Sequence, residues 1–142
     1  MRTLILIAIL FAFSLAGCSR SGDFGTFVVT EATKYGGHIK TNAALPKLDA
    51  RWTIKRDDNG FQASVTGISF ASIDTFMQQA FGTPKMSVDA AGTAIGQPHR
   101  AWGAVDIGVA IQLIGRPDGA EIICVRGMRD MREMFKKTEG RQ

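Results

Sequence analysis

Hydrophobic and polar positions along this chain change rhythm several times, and each rhythm predicts an element. An apolar run from Thr3 to Phe13 follows Met1-Arg2 and closes with Ser14-Leu15-Ala16-Gly17-Cys18. From Leu4 to Gly17 it is too short for a membrane span, which takes about 20 apolar residues. Charge, apolar run and small residues in that order read instead as a secretory signal peptide. Further on, Arg51 to Arg56 and Phe61 to Thr66 alternate apolar and polar around Asp57-Asp58-Asn59-Gly60. Asn-Gly between alternating runs predicts a β-hairpin, since both residues tolerate positive φ. Ile54 then faces Ala63 or Val65.

A helix follows, with Ser72 as its expected N-cap. Ile73, Phe76, Met77, Ala80 and Phe81 form one apolar stripe at helical spacing, Asp74 suits the first turn, and Gly82 and Pro84 stop it. Ala101 to Ile114 reads as one long strand, with Val105, Ile107, Val109, Ile111 and Leu113 on one face and Trp102, Ala104, Asp106, Gly108, Ala110 and Gln112 on the other. Arg116-Pro117-Asp118-Gly119 is a turn, and Glu121 to Arg126 returns as the partner strand. Gly127 to Lys137 is helical again, carrying Met128, Met131 and Phe135 on its apolar stripe. Less legible are Phe27 to Thr30, read as a short strand, Glu31 to Ala50, which fits neither period, and Lys85 to Arg100, read as a loop with a short strand at Thr93 to Ile95.

The order hairpin, helix, hairpin, helix predicts an α+β domain. Its antiparallel sheet has four or five strands in two hairpins, with the central helix and the short C-terminal helix packed on one face. Residues 1–17 are the signal peptide, 18–26 a polar, lipidated tether, 27–137 one α+β domain and 138–142 a frayed tail.

Leu15-Ala16-Gly17-Cys18 resembles the lipobox of bacterial lipoproteins residue for residue. The resemblance covers only this N-terminal stretch; the mature domain resembles no recognised family. It implies that Met1 to Gly17 are removed, that diacylglycerol and an N-acyl chain are attached to Cys18, and that palmitate-type chains hold the protein to the membrane. Two or three chains give durable anchoring where one is marginal. Ser19, where a sorting rule uses Asp to retain lipoproteins in the inner membrane, favours the cell outer membrane, with the domain on the periplasmic side.

The chain of 142 residues has a formal net charge of +4. That excess is localised: basic and acidic residues balance from Ser19 to Val125, and the surplus lies in Arg126, Arg129, Arg132, Lys136, Lys137 and Arg141. No basic face runs through the body of the domain, which argues against nucleic acid as a partner. With Cys18 committed to lipid, Cys124 is alone. In Ile122-Ile123-Cys124-Val125 it reads as a small buried hydrophobe, against the alternative of an intermolecular disulfide or reactive thiol.

Candidate chemistry is sparse. Neither His38 nor His99 has a histidine or cysteine close by in sequence, so no metal is expected. His99, Trp102 and Asp106 form the candidate ligand site. Asp106 is read as a solvated strand residue, or one paired with Arg100 or Arg126 if it faces the core. No catalytic motif is found, and no cofactor is expected beyond the lipid. Arg129, Arg132 and Lys136 flank the Met/Phe stripe of the C-terminal helix, which either packs on the sheet or meets a partner protein or the membrane. These readings point to a non-catalytic lipid-anchored envelope protein that binds a partner or scaffolds an envelope complex. The alternative is a small periplasmic hydrolase or ligand-binding domain using the 85–106 region.

Overall fold

The computed structural model describes residues 18–89 and 96–126. Among them, seven strands form one antiparallel sheet in the order β1-β2-β3-β7-β6-β5-β4. The strands are β1 Cys18–Asp23, β2 Asp49–Arg56, β3 Gly60–Thr66, β4 Met86–Val88, β5 His99–Trp102, β6 Val109–Arg116 and β7 Gly119–Arg126. Three helices accompany them: α1 Phe24–Lys34, α2 Phe70–Phe81 and the one-turn α3 Ala104–Ile107. The described part is mostly sheet, and it exceeds the expected four or five strands because β1, β4 and β5 were not foreseen as separate strands.

Both hairpins form as their turn residues require. Ile54 pairs with Ala63 around the 57–60 turn. There the Asp57 carboxylate accepts the N–H groups of Asn59 at 2.7 Å and Gly60 at 3.0 Å. Arg116 pairs with Gly119 across Pro117-Asp118. Along β2, β3, β7 and β6, alternate residues point to one face, where Trp52, Ile54, Phe61, Ala63, Val65, Ile111, Leu113 and Ile122 are all buried. The apolar sides of the helices complete the same cluster. Full burial of one such side chain is worth about 1.5–3 kcal/mol, so this face dominates the stability.

Several expectations are corrected. Phe27 to Thr30 is not a strand but the middle of α1, whose buried positions are Phe24, Gly25, Phe27, Val28, Glu31 and Ala32. The spacing is helical, but Glu31 interrupts the apolar stripe and Val28-Val29-Thr30 mimics a strand. The polar stretch read as a tether pairs with β2 from Cys18↔Ile54 to Asp23↔Asp49, because its backbone completes the ladder whatever its side chains are. Asp23 then caps α1, accepting from Thr26 N–H, and also accepts Leu48 N–H at 3.1 Å. These hydrogen bonds outweigh the effect of burial and hold its carboxyl below the ordinary range.

The N-cap of α2 is Ser69, not Ser72; its hydroxyl accepts the N–H of Ser72. Gly82, at φ 87°, closes the helix as expected. The long strand expected from Ala101 to Ile114 is broken into β5, α3 and β6. Val105 is consequently 63% exposed on α3 and not in the core. Gly103 and Gly108 bracket the interruption, and alternation alone cannot register a one-turn helix that resets the phase. Thr93 to Ile95 and the helix expected from Gly127 to Lys137 lie outside the described residues.

Gly108 carries this break. It sits at φ +81°, and a Cβ there would lie 1.7 Å from the Gly36 carbonyl oxygen, where the segment after α1 crosses. Gly108→Ala is expected to destabilise the fold by about 2–4 kcal/mol, through positive-φ strain together with a backbone clash. Val105→Ala, on exposed α3 surface, should stay within about 0.5 kcal/mol of the parent. Urea unfolding of the two variants checks this; equal midpoints would contradict the crossing.

Candidate functional site

The three residues of the candidate ligand site do not converge. His99 and Trp102 stand at opposite ends of β5 and on opposite faces, since His99 pairs with Ile114 and Trp102 with the core residue Ile111. Trp102 is buried and donates its indole N–H to Gly82 O at 2.9 Å, which ties the end of α2 to the sheet. Asp106, on α3, is neither a strand residue nor a partner of Arg100 or Arg126; it pairs at 3.2 Å with Lys85, both groups being about half exposed. Trp102 and Asp106 share a shallow cleft of about 260 Å³ with Lys40, Lys85 and Thr83, and His99 is not part of it.

Arg100, which the sequence reading gave no role of its own, is the most constrained charged group near this region. It faces inward beside Leu113 and is 9% exposed. Its guanidinium pairs with Asp74 at 3.3 Å and Asp89 at 3.2 Å, and donates to Val88 O at 2.9 Å and His99 O at 3.1 Å. Phe70 stacks 5.4 Å from it. The fork geometry of arginine makes four hydrogen bonds from three nitrogens, a set that a lysine could not reproduce. Every contact is to the protein itself, so Arg100 clamps α2 to β4 and β5. Its inward parity with Trp102, two residues on, was the sequence signal.

A second buried charge, Glu31, is 2% exposed and pairs with Lys34 at 2.9 Å and Arg56 at 3.1 Å. Cys124 lies in the same core. Burial foremost, then the Glu31 charge, pushes its thiol up to about 12, so it is held as an un-ionised thiol and a poor nucleophile. Among the described residues no group of three His, Cys, Asp or Glu side chains is placed to hold a metal. Nor, among them, is any helix long and apolar enough to cross a membrane.

No family model, curated protein or solved structure matches the chain. Function must therefore be read from the arrangement itself. Cys18 opens β1 at the sheet edge. Leu15, Ala16 and Gly17, as well as Arg129, Arg132 and Lys136, lie outside the described residues. The face of the sheet turned away from the core divides in two. Its β2–β3 half is polar, with Thr53, Lys55, Gln62 and Ser64 exposed. Its β4–β7 half is largely apolar, with Met86, Val88, Ile114, Ile123 and Val125 half-buried around His99 and Gln112.

His99 on this face has a pKa below its ordinary 6.5, first from burial and then from the Arg100 charge, with the Gln112 side chain opposing. The folded protein thus resists a proton that the unfolded chain accepts. Stability is expected to fall as pH drops below about 6.5 and through the depressed value, and to recover as pH rises. Denaturation midpoints between about pH 7 and pH 5 should show this fall. His99→Gln should flatten it; a variant with the parental slope would assign the effect elsewhere.

Proposed function

We propose that this protein is a lipid-anchored lipoprotein of the cell envelope that acts by binding a partner protein, not by catalysis. The observation that carries the reading is the position of Cys18. It ends the Leu15-Ala16-Gly17-Cys18 motif and is also the first residue of β1, so a cut between Gly17 and Cys18 leaves Cys18–Asp23 whole. Diacylglycerol and an N-acyl chain on Cys18 then hold the sheet edge at the bilayer, with no free linker between lipid and fold. Ser19 favours the periplasmic side of the outer membrane. Among the described residues α1 and α2 pack on one side of the sheet, and the reading assigns association to the other.

The reading of a binding protein is supported by how its reactive groups are used. Asp106 is engaged by Lys85, Arg100 is saturated by the fold, the Cys124 thiol is buried, and His99 and Trp102 point away from each other. The hydrolase or ligand-binding alternative has no convergent set of side chains behind it among the described residues of the 85–106 region.

Cells fed labelled palmitate should incorporate it into the wild-type protein and not into Cys18→Ser. Intact mass should show loss of Met1–Gly17 and a gain of acyl lipid. An unprocessed N-terminus on the purified protein would refute the anchor. Partners captured by crosslinking in membranes should be lost from a variant truncated after Arg126 if the basic tail makes the contact; unchanged partners would move the contact to the sheet.

A further inference from the structure

The sheet topology sorts charge along the strand direction in a way the sequence order conceals. Cys18 pairs with Ile54, two residues before the end of β2. The same end of the sheet holds the 57–60 turn, the last residue of β7 and the first of β6, since Gly60 pairs with Val125 and Val109 with Arg126. Lys55, Arg56 and Arg126 therefore lie at the pole where Cys18 sits. Lys34 arrives there at the end of α1, where Tyr35 donates its hydroxyl to Asp57 O at 3.0 Å. Lys40 and Lys85 come in beside the end of α2, lining one cleft with Gly82.

The carboxylates at this pole are Glu31, Asp57, Asp58 and Asp106. Glu31 is buried under Lys34 and Arg56, Asp106 is paired with Lys85, and Asp57 is turned onto its own loop. Lys40 and Lys55 are exposed and form no ion pair among the described residues. The opposite pole is acidic: Asp23, Asp49, Asp74, Asp89 and Asp118 outnumber Lys47, Arg51, Arg100 and Arg116. In sequence, Arg129, Arg132 and Lys136 follow Arg126. Helix ends explain part of this, because α1 and α2 both finish here and their carbonyl termini attract cations. They do not explain Lys55 or Arg126, which stand at strand ends.

We infer that the domain rests on an anionic bilayer surface by this basic pole, with Lys40, Lys55 and Arg126 at the headgroups and the 57–60 turn against the membrane. This deepens the lipoprotein reading and rests on it for the position of the acyl chains. Lipid and basic side chains act as two signals from one end of the molecule, the combination that turns marginal membrane contact into stable contact. The domain would then stand upright on the bilayer, its acidic pole outward and the sheet face turned away from the core directed sideways.

Full-length lipoprotein, carrying a photoreactive residue in place of Asn59 or of Asp118 at the far pole, is reconstituted into phosphatidylcholine vesicles with or without phosphatidylglycerol. Crosslinking to lipid from position 59 should rise several-fold with phosphatidylglycerol. It should fall back in the Lys40→Glu, Lys55→Glu double variant and at high salt, because surface charge is screened within a Debye length. Position 118 should label lipid weakly throughout. Equal labelling from both poles, or a signal at 59 indifferent to lipid charge and to charge reversal, would overturn the inference. Circular dichroism of the double variant verifies its fold. Palmitate incorporation in the same preparations separates failure here from failure of the anchor: acylated protein without charge dependence sinks only the docking pole.

Discussion

An antiparallel sheet that buries one face must find, on every strand, an inward side chain to fill the core and an outward one that water tolerates. In this protein that constraint organises everything else. The inward rows of β2, β3, β7 and β6 are filled by Trp52, Phe61, Val65, Ile111, Leu113 and Ile122, and α1 and α2 close over them. Aromatic packing concentrates under α1, where Phe27 lies 4.9 Å from Trp52 and Phe24 lies 5.4 Å from it. Among the peripheral strands, β5 sends Trp102 into the core, whereas no residue of β4 is fully buried. β1 is held by its ladder to β2, and by Arg20 set 5.8 Å from the Phe27 ring. Arg100 ties β4 and β5 to α2.

The two buried charges show how polar groups serve this architecture. A desolvated guanidinium is tolerable only if its donors are met, and Arg100 meets Asp74, Asp89 and two carbonyls in one small volume. It joins α2 to β4 and β5. Glu31 does the equivalent at the other pole, tying α1 to the end of β2 through Arg56. Each charge links elements distant in sequence, which makes both of them positioning devices and leaves little free chemistry in the interior.

The functional proposals share one geometric root. The lipobox cysteine begins the edge strand, and antiparallel pairing brings the same end of the sheet to the 57–60 turn and to the exit of the chain from β7. An anchor placed there sets which end of the domain meets the membrane before any surface charge contributes. The charge distribution along the strands agrees with that polarity. On that proposal, partner binding would fall to the outer face of β4–β7, which is half-apolar.

Local patterning in the sequence sufficed for both hairpins, the stripe of α2 and its stop at Gly82, because these are set by turn residues and by periodicity over a few positions, whereas the pairing of Ile54 with Ala63 and not Val65 came from the structure. The proposed lipobox is equally local, a string of residues that would be read by contact and not by folding. What tertiary structure alone decided was the fate of segments whose own pattern is ambiguous. Ser-rich Cys18–Asp23 became a strand because β2 offered unpaired backbone; Phe24–Lys34 became a helix although Glu31 broke its stripe, since Arg56 arrived to pair with it. The run from Ala101 to Ile114 was broken between Gly103 and Gly108, and at Gly108 the crossing chain at Gly36 leaves no room for a Cβ. The Arg100 clamp and the basic pole belong to the same class: each gathers residues far apart in sequence, and only the pairing of strands brings them together.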